Sequence, residues 1–281
     1  MATLVSQNYG KARVRVLKVS RAGARHELKE AEVSVMLEGD FAAAYLAGDN
    51  RQVVPTDTMK NTVYALAQKH LGADIESFGI ALGGHFLGKY PQVSRATIGL
   101  REHCWERMRC DGQPHAHSFT GGGPARPWAE VVATSTQVSV ESGIDDLLIL
   151  KSTGSGFAGF PRDEFTTLPE TTDRILATNL QARWVWQSAP SNYNAANQAI
   201  LDALLKTFAN NYSVSVQATL FQMGEAALRV APEIARITLA LPNKHCLLVN
   251  LAPFGLENKN EIFVPTDEPH GQIEATVARE G

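Results

Sequence analysis

Residues 30–38 read Glu-Ala-Glu-Val-Ser-Val-Met-Leu-Glu, with Ala31, Val33, Val35 and Leu37 alternating with Glu30, Glu32, Ser34 and Glu38. A period of two puts all the apolar side chains on one face of a strand. Such a strand needs a covered face and a wet face, the condition of an antiparallel sheet backed on one side. Lys11–Val19 is rich in valine and charge, and Ala22-Gly23 lies between the two segments, so a hairpin is expected. Next, Met59, Val63, Leu66 and Ala67 share one helical face. Pro55 precedes them, Thr56 or Asp57 is the expected N-cap, and Gly72 the expected terminator. Gly79–Leu87 and Val93–Trp105 predict two more strands, giving strand, strand, helix, strand, strand.

The second half predicts a similar plan. Glu130–Glu141 and Leu147–Ser152 read as a strand pair, and Leu180, Ala182, Trp184 and Trp186 alternate as another strand. Ile200, Leu201, Leu204, Leu205 and Phe208 form the apolar face of a helix. Val214, Val216, Ala218 and Leu220 define a further strand face, and Ile237–Leu241 with Cys246–Leu251 close a hairpin. Gly112–Trp128, with Gly121-Gly122-Gly123-Pro124 and Pro127, disfavours regular structure and marks the expected boundary. Two tandem domains, 1–128 and 129–281, follow, in an α+β class with antiparallel sheets and helices on one face.

A net charge of -3 on 281 residues gives no general attraction to nucleic acid or an anionic membrane. An anionic ligand therefore needs specific local cations. Three cysteines, Cys104, Cys110 and Cys246, make no disulfide framework. No apolar run approaches the roughly 20 residues of a bilayer span. No signal-peptide pattern opens the chain, because Lys11, Arg13 and Arg15 follow without an apolar core. A cytoplasmic setting is expected.

Two motifs fail on context. Gly154, Gly156 and Gly159 match G-x-G-x-x-G, but that fingerprint needs a helix to start there, and Pro161 with Arg-Asp-Glu opposes one. His103, Cys104, Cys110, His115 and His117 are the densest set of potential metal ligands. They contain no C-x-x-C pair, and His115 and His117 stand too close for a zinc-finger spacing. A histidine-containing loop after a strand end is the expectation. There is no Walker loop and no G-x-S-x-G elbow.

Four ordered segments are more specific. They are Tyr9-Gly10-Lys11; Val54-Pro55-Thr56-Asp57-Thr58-Met59-Lys60-Asn61-Thr62-Val63; Leu150-Lys151-Ser152-Thr153-Gly154-Ser155-Gly156-Phe157, leading to Arg162–Leu168 and Thr172-Asp173-Arg174-Ile175-Leu176; and Ser215-Val216-Gln217-Ala218-Thr219, followed by Leu241-Pro242-Asn243-Lys244-His245. In order, spacing and total length the chain resembles the urate oxidases over nearly all its length. The resemblance implies oxidation of urate by dioxygen and water to 5-hydroxyisourate and hydrogen peroxide, with no metal, flavin or nicotinamide cofactor.

The residues it implies suit urate, a flat, electron-rich monoanion. Phe157 offers a stacking face, and Arg174 a two-pronged charged hydrogen bond. Gln217 donates and accepts, matching a lactam edge. Its side chain alternates away from the Val214-Val216-Ala218 face, while Val216 contributes its backbone N–H. Lys11, Thr56 and His245 form the implied catalytic relay, in which a lysine, a hydroxyl and an imidazole move protons. Thr56 and Asn243 hold dioxygen or water over the ring, and Asp57 supports Thr56 beside the substrate.

The family adopts the T-fold, whose tandem domains assemble as a tunnel-forming homotetramer. Its active sites lie at subunit interfaces, with the Lys11 and Thr56 equivalents from one subunit and the other contacts from its neighbour. A complete site is then expected only in the oligomer. The chain ends Arg279-Glu280-Gly281 and not in a peroxisomal Ser-Lys-Leu-type tripeptide. The alternatives are a pterin aldolase or cyclohydrolase of the same fold, the latter needing a metal on Cys and His ligands, and a non-catalytic purine-binding scaffold. The 103–117 cluster separates the cyclohydrolase from the rest.

Overall fold

Strand β1 (Tyr9–Ser20) turns back into β2 (Glu27–Gly39), the alternating segment, and the pair is antiparallel with Tyr9 opposite Leu37 and Lys11 opposite Val35. The register slips between Lys11 and Val14, and Arg13 takes a positive φ of 59° there. The extra residue of this bulge lets the charged outer face of β1 change while Val14 stays buried. This is a computed structural model, and it describes residues 2–280.

Three helices follow: α1 (Ala42–Ala47), α2 (Thr56–His70) and α3 (Ile75–Lys89). Helix α2 lies where expected, but Pro55 is its N-cap and Leu71 its C-cap. Thr56 and Asp57 therefore sit inside the first turn, where proline's fixed φ has already set the helix entry. Helix α3 replaces the expected strand at Gly79–Leu87. Asp74 caps it by accepting from the Ser77 N–H at 2.7 Å, and its apolar residues bury Phe78, Leu82 and Phe86. The glycines suggest a strand, yet here they serve close approach. A Cβ on Gly79 would lie 2.8 Å from both the Leu100 Cδ1 and the Val131 Cγ2. Gly79→Val forces these side chains apart, and overpacking of this kind costs about 1–3 kcal/mol. The expected result is a lower denaturant midpoint with an unchanged slope.

Strand β3 (Val93–His103) pairs antiparallel with β2, and Val33 faces Leu100 across the ladder. The chain then makes a two-stranded arm of β4 (Trp105–Cys110) and β5 (Gln113–Gly121), so residues 113–121 are regular where none was expected. The ladder supplies their backbone partners despite the proline and glycines. Strand β6 (Arg126–Thr134) returns antiparallel to β3, and a turn at Thr134–Gln137 leads into β7 (Val138–Lys151). Glu130–Glu141 is thus two strands, and the second runs on through Leu147–Lys151. Ile98, Leu100 and Val131 from this sheet meet Met59, Val63 and Phe78 from the helices in one core.

Two compact units result, Met1–Gly143 with Val185–Asn194, and Ile144–Trp184 with Ala195–Gly281. The second contains most of β8 (Leu176–Trp186) and α4 (Tyr193–Asn210), then α5 (Val216–Val230), β9 (Ile234–Ala240), β10 (Asn243–Leu248), β11 (Phe263–Gly271) and β12 (Glu274–Ala278). Helix α5 replaces the expected strand over 214–220. Ser215 is its N-cap and accepts from the Ala218 N–H at 3.1 Å, after which Val216, Leu220, Met223 and Ala227 recur at helical spacing and are buried. Strands β9 and β10 do not form the expected hairpin. Both border β8, β9 also pairs with β12, and β10 with β11. Leu180, Ala182 and Trp184 of β8 and Ile200, Leu204 and Phe208 of α4 are buried as their periodicities predict.

Among the described residues no helix is long and apolar enough to cross a membrane. Gly154 and Gly159 have positive φ of 73° and 74°, and the first helix after them starts only at Tyr193, so the glycine fingerprint lacks the helix terminus a pyrophosphate needs.

Candidate active site

The candidate residues form two groups, one in each unit. In the first, Lys11 occupies the edge strand β1 just before its bulge, and Thr56 and Asp57 open α2. Both first-turn residues are exposed. Asp57 accepts from Lys60 and, at 2.9 Å, from Asn61 Nδ2. Lys60 foremost, and Lys11 more weakly, hold the Asp57 carboxyl below its usual range, so Lys11 and Asp57 are electrostatic neighbours and Asp57 is ionised near neutrality.

The second group is built on the 152–175 loop. Asp173 receives the Thr153 hydroxyl at 2.9 Å and the Gly154 N–H at 3.0 Å. Phe157 and Thr171 exchange backbone hydrogen bonds of 2.8 and 3.0 Å. Gly156 donates to the Ser213 carbonyl at 2.8 Å, and Ser213 donates back to Gly154 at 2.9 Å. The Ser213 hydroxyl accepts from Thr219 Oγ1 at 2.7 Å, which ties the loop to the first turn of α5. Phe157 is therefore fixed in a loop with few regular elements. Gly156 is required there, because a Cβ would lie 2.5 Å from the Tyr212 hydroxyl and 3.0 Å from the Thr171 carbonyl. Gly156→Ala is expected to shift the Phe157 ring and weaken ligand binding by about tenfold, a displacement effect of the size that misplaced contacts produce. Isothermal titration with a non-reacting purine analogue reads it directly.

Arg174 is the centre of this group. Its guanidinium carbon stands 5.3 Å from the Phe157 ring centroid, and its backbone N–H donates to Ser155 at 2.7 Å. Its Nε is buried and has no hydrogen-bond partner among the described residues. Burial lowers its pKa from the ordinary value, though a guanidinium stays charged. A half-buried cation without a carboxylate is expensive unless a ligand completes it. Arg174 lines a cavity of about 470 Å³ with Asn243, His245, Ser152, Cys246 and Phe263, within the size range of small-molecule sites. Asn243 begins β10, where it pairs with Thr178 on β8, and His245 lies two residues further along the same strand.

Val216 and Gln217 do not line this cavity; they open α5. The strand argument for the direction of Gln217 fails with the strand. Its side chain is exposed because it falls off the buried 216-220-223-227 face. The Val216 N–H belongs to a helix first turn, whose leading N–H groups have no intrahelical acceptor. Of the 103–117 cluster, His103 ends β3, Cys104 falls between β3 and β4, Cys110 ends β4, and His115 and His117 lie on β5 with their rings 4.6 Å apart. Among the described residues no three His, Cys, Asp or Glu side chains form a metal-holding group. Tyr9 and Asp173 belong to the ordered segments of the sequence but carry no assigned role there, and Ser213 is not signalled at all. Asp173, whose carboxylate accepts the Gly154 N–H, has a readable signal in its turn-forming neighbours.

An α+β scaffold that sets a half-buried arginine against an aromatic face, beside an asparagine and a histidine, has the chemistry to hold a flat anionic ring. The uricase family model matches residues 7–132 and 140–274, and the chain belongs to the uricase family. It is 44% identical to the uricase of Arthrobacter globiformis over 99% of this chain and 91% of that one. With the uricase of Dictyostelium discoideum the identity is 41% over 99% and 98%. The crystal structure of the Arthrobacter globiformis uricase superposes with a TM-score of 0.95 at 43% identity, covering 100% of this chain and 96% of that chain. The fold is accordingly the tandem T-fold arrangement of α+β class.

Proposed function

We propose that the chain oxidises urate with dioxygen and water to 5-hydroxyisourate and hydrogen peroxide, without a metal or organic cofactor, in a cytoplasmic setting. The observation that carries this reading is Arg174, half-buried over the Phe157 ring with its Nε unsatisfied. A urate anion stacked on Phe157 supplies the missing acceptors through adjacent oxygen and nitrogen atoms. Gln217 and the Val216 N–H hold the opposite edge of the ring.

Dioxygen is a spin triplet and does not react directly with a closed-shell molecule. A deprotonated urate gives up one electron, and the radical pair recombines. The protein's task is then to remove protons, hold dioxygen and later water over the ring at Asn243 and Thr56, and exclude bulk solvent. Lys11, Thr56 and His245 form the relay, with Asp57 holding the start of α2.

The two groups of residues belong to different halves of the chain, read as repeated T-fold domains 1–128 and 129–281. We assign the complete site to an interface in a homotetramer, with Lys11, Thr56 and Asp57 from one subunit and Phe157, Arg174, Val216, Gln217, Asn243 and His245 from its neighbour. Co-assembly of Lys11→Met with Arg174→Ala chains tests this arrangement. Each variant alone is expected to be nearly inactive at low urate. Random pairing in mixed oligomers restores about a quarter of the wild-type sites, since half the donors and half the acceptors are intact. No recovery in mixed oligomers shown to form contradicts the shared site.

A further inference from the structure

The phenol of Tyr9 joins the two segments of the first unit that carry candidate catalytic residues. Its oxygen accepts from the Val54 backbone N–H at 2.7 Å, and its hydroxyl lies 3.2 Å from the Val54 carbonyl, to which it donates. A single side chain thus satisfies both polar groups of one backbone residue 45 positions along the chain. The ring is held edge-on against buried Phe41, with centroids 4.8 Å apart and planes at 90°. Burial pushes the phenol above its ordinary pKa, so it remains protonated and able to donate at working pH.

The position of this contact matters more than its strength. Tyr9 lies two residues before Lys11 on β1, so both side chains leave the same face of the strand. Val54 lies two residues before Thr56, with only Pro55 between. Pro55 has φ of −58° and ψ of 135°, and its carbonyl accepts the first helical bond, from the Met59 N–H at 3.1 Å. The proline ring prevents φ from absorbing a displacement. No side chain caps α2 at this end, so the grip on Val54 substitutes for a cap in fixing where the helix begins.

We infer that Tyr9 is a positioning residue for the reaction, and that its hydroxyl sets the Thr56 hydroxyl at hydrogen-bonding reach of the Lys11 amine by clamping Val54. The inference rests on the Lys11–Thr56 relay proposed above. It assigns Tyr9 no contact with urate or dioxygen. Loss of the clamp should slow proton movement without weakening the hold of Arg174 and Phe157 on the ring, which lie in the other unit.

The test is a double-mutant cycle on the full-length oligomer with Tyr9→Phe, Thr56→Ala and the pair. Tyr9→Phe keeps the ring against Phe41. It is expected to lower kcat about tenfold, with KM for urate within about twofold, as a small misplacement of a reacting group does. The double variant should be no slower than Thr56→Ala alone, because Tyr9 acts only through Thr56. Should Tyr9→Phe not assemble, Phe41→Leu, which frees the ring but keeps the hydroxyl, should give the same split between kcat and KM. Additive losses in the cycle, or a Tyr9→Phe enzyme of wild-type kcat beside a slow Thr56→Ala enzyme, would overturn the positioning role and leave the relay standing. A Thr56→Ala enzyme of wild-type turnover would overturn both.

Discussion

Replacing Lys11 by Met or Thr56 by Ala is expected to lower kcat for urate by about 100-fold or more, the usual range for removal of a general acid or base. KM should move little, because neither residue belongs to the Phe157–Arg174 group proposed to grip the ring. The argument is one of position. Lys11 lies on an exposed edge strand, close enough to Asp57 for its charge to steady that carboxylate, and Thr56 is an exposed first-turn residue without a capping role. Neither holds the core together, so folding survives their loss. A structural lysine or threonine would show the reverse, a fall in melting temperature at near-normal turnover. Stopped-flow measurement under saturating dioxygen separates the two, since proton movement then limits the rate and a solvent isotope effect reports it.

Arg174→Ala is expected to raise KM for urate between about tenfold and about a hundredfold, matching the roughly 1.5–3 kcal/mol of a charge-assisted hydrogen bond. Its effect on stability should have the opposite sign to that of a structural arginine. In the free protein the guanidinium is partly desolvated, its Nε has no acceptor among the described residues, and it stands over the Phe157 ring. Removing a cation that lacks a partner relieves a desolvation penalty and gives up a cation–π contact of about 0.5–1 kcal/mol. The melting temperature without ligand should therefore stay level or rise, while stabilisation by a non-reacting purine analogue disappears. Arg174→Lys should recover little affinity, because an ammonium cannot make the planar two-pronged contact.

The sheet was largely legible because its strands are wet on one face. The alternation in Ala31–Leu37 and Leu180–Trp186 marks β2 and β8, and the buried residues fall where the period puts them. The two helices read as strands failed for different physical reasons. In α3, glycines at 79 and 83 let the helix approach β3 and β6 closely, and tertiary contact outweighs their poor helix propensity. In α5, a short run of alternate apolar residues begins before the helix does, and the Ser215 cap after Val214 was the overlooked signal. The expected hairpin of β9 and β10 is absent because each takes other partners, β9 pairing with β8 and β12 and β10 with β8 and β11, a non-local choice that no local pattern encodes.

The clustering of three proposed site residues is legible for a different reason. Arg174, Asn243 and His245 are distant in sequence yet meet at one cavity. They were named through the ordered segments and their chemistry, not through periodicity. Gln217 was named correctly as an exposed polar residue but on the wrong element. The link from Tyr9 to Val54 was invisible, because its partner is a backbone group whose identity carries no sequence signal.

The central claim is that urate oxidation here needs only the chain and dioxygen. Protein treated with a strong chelator and passed through a desalting column, then mixed with urate, tests it with an oxygen electrode and a peroxide assay. One dioxygen consumed and one peroxide released per urate, at the untreated rate, is the predicted result. Loss of turnover after chelation, restored by an added metal ion, would contradict it.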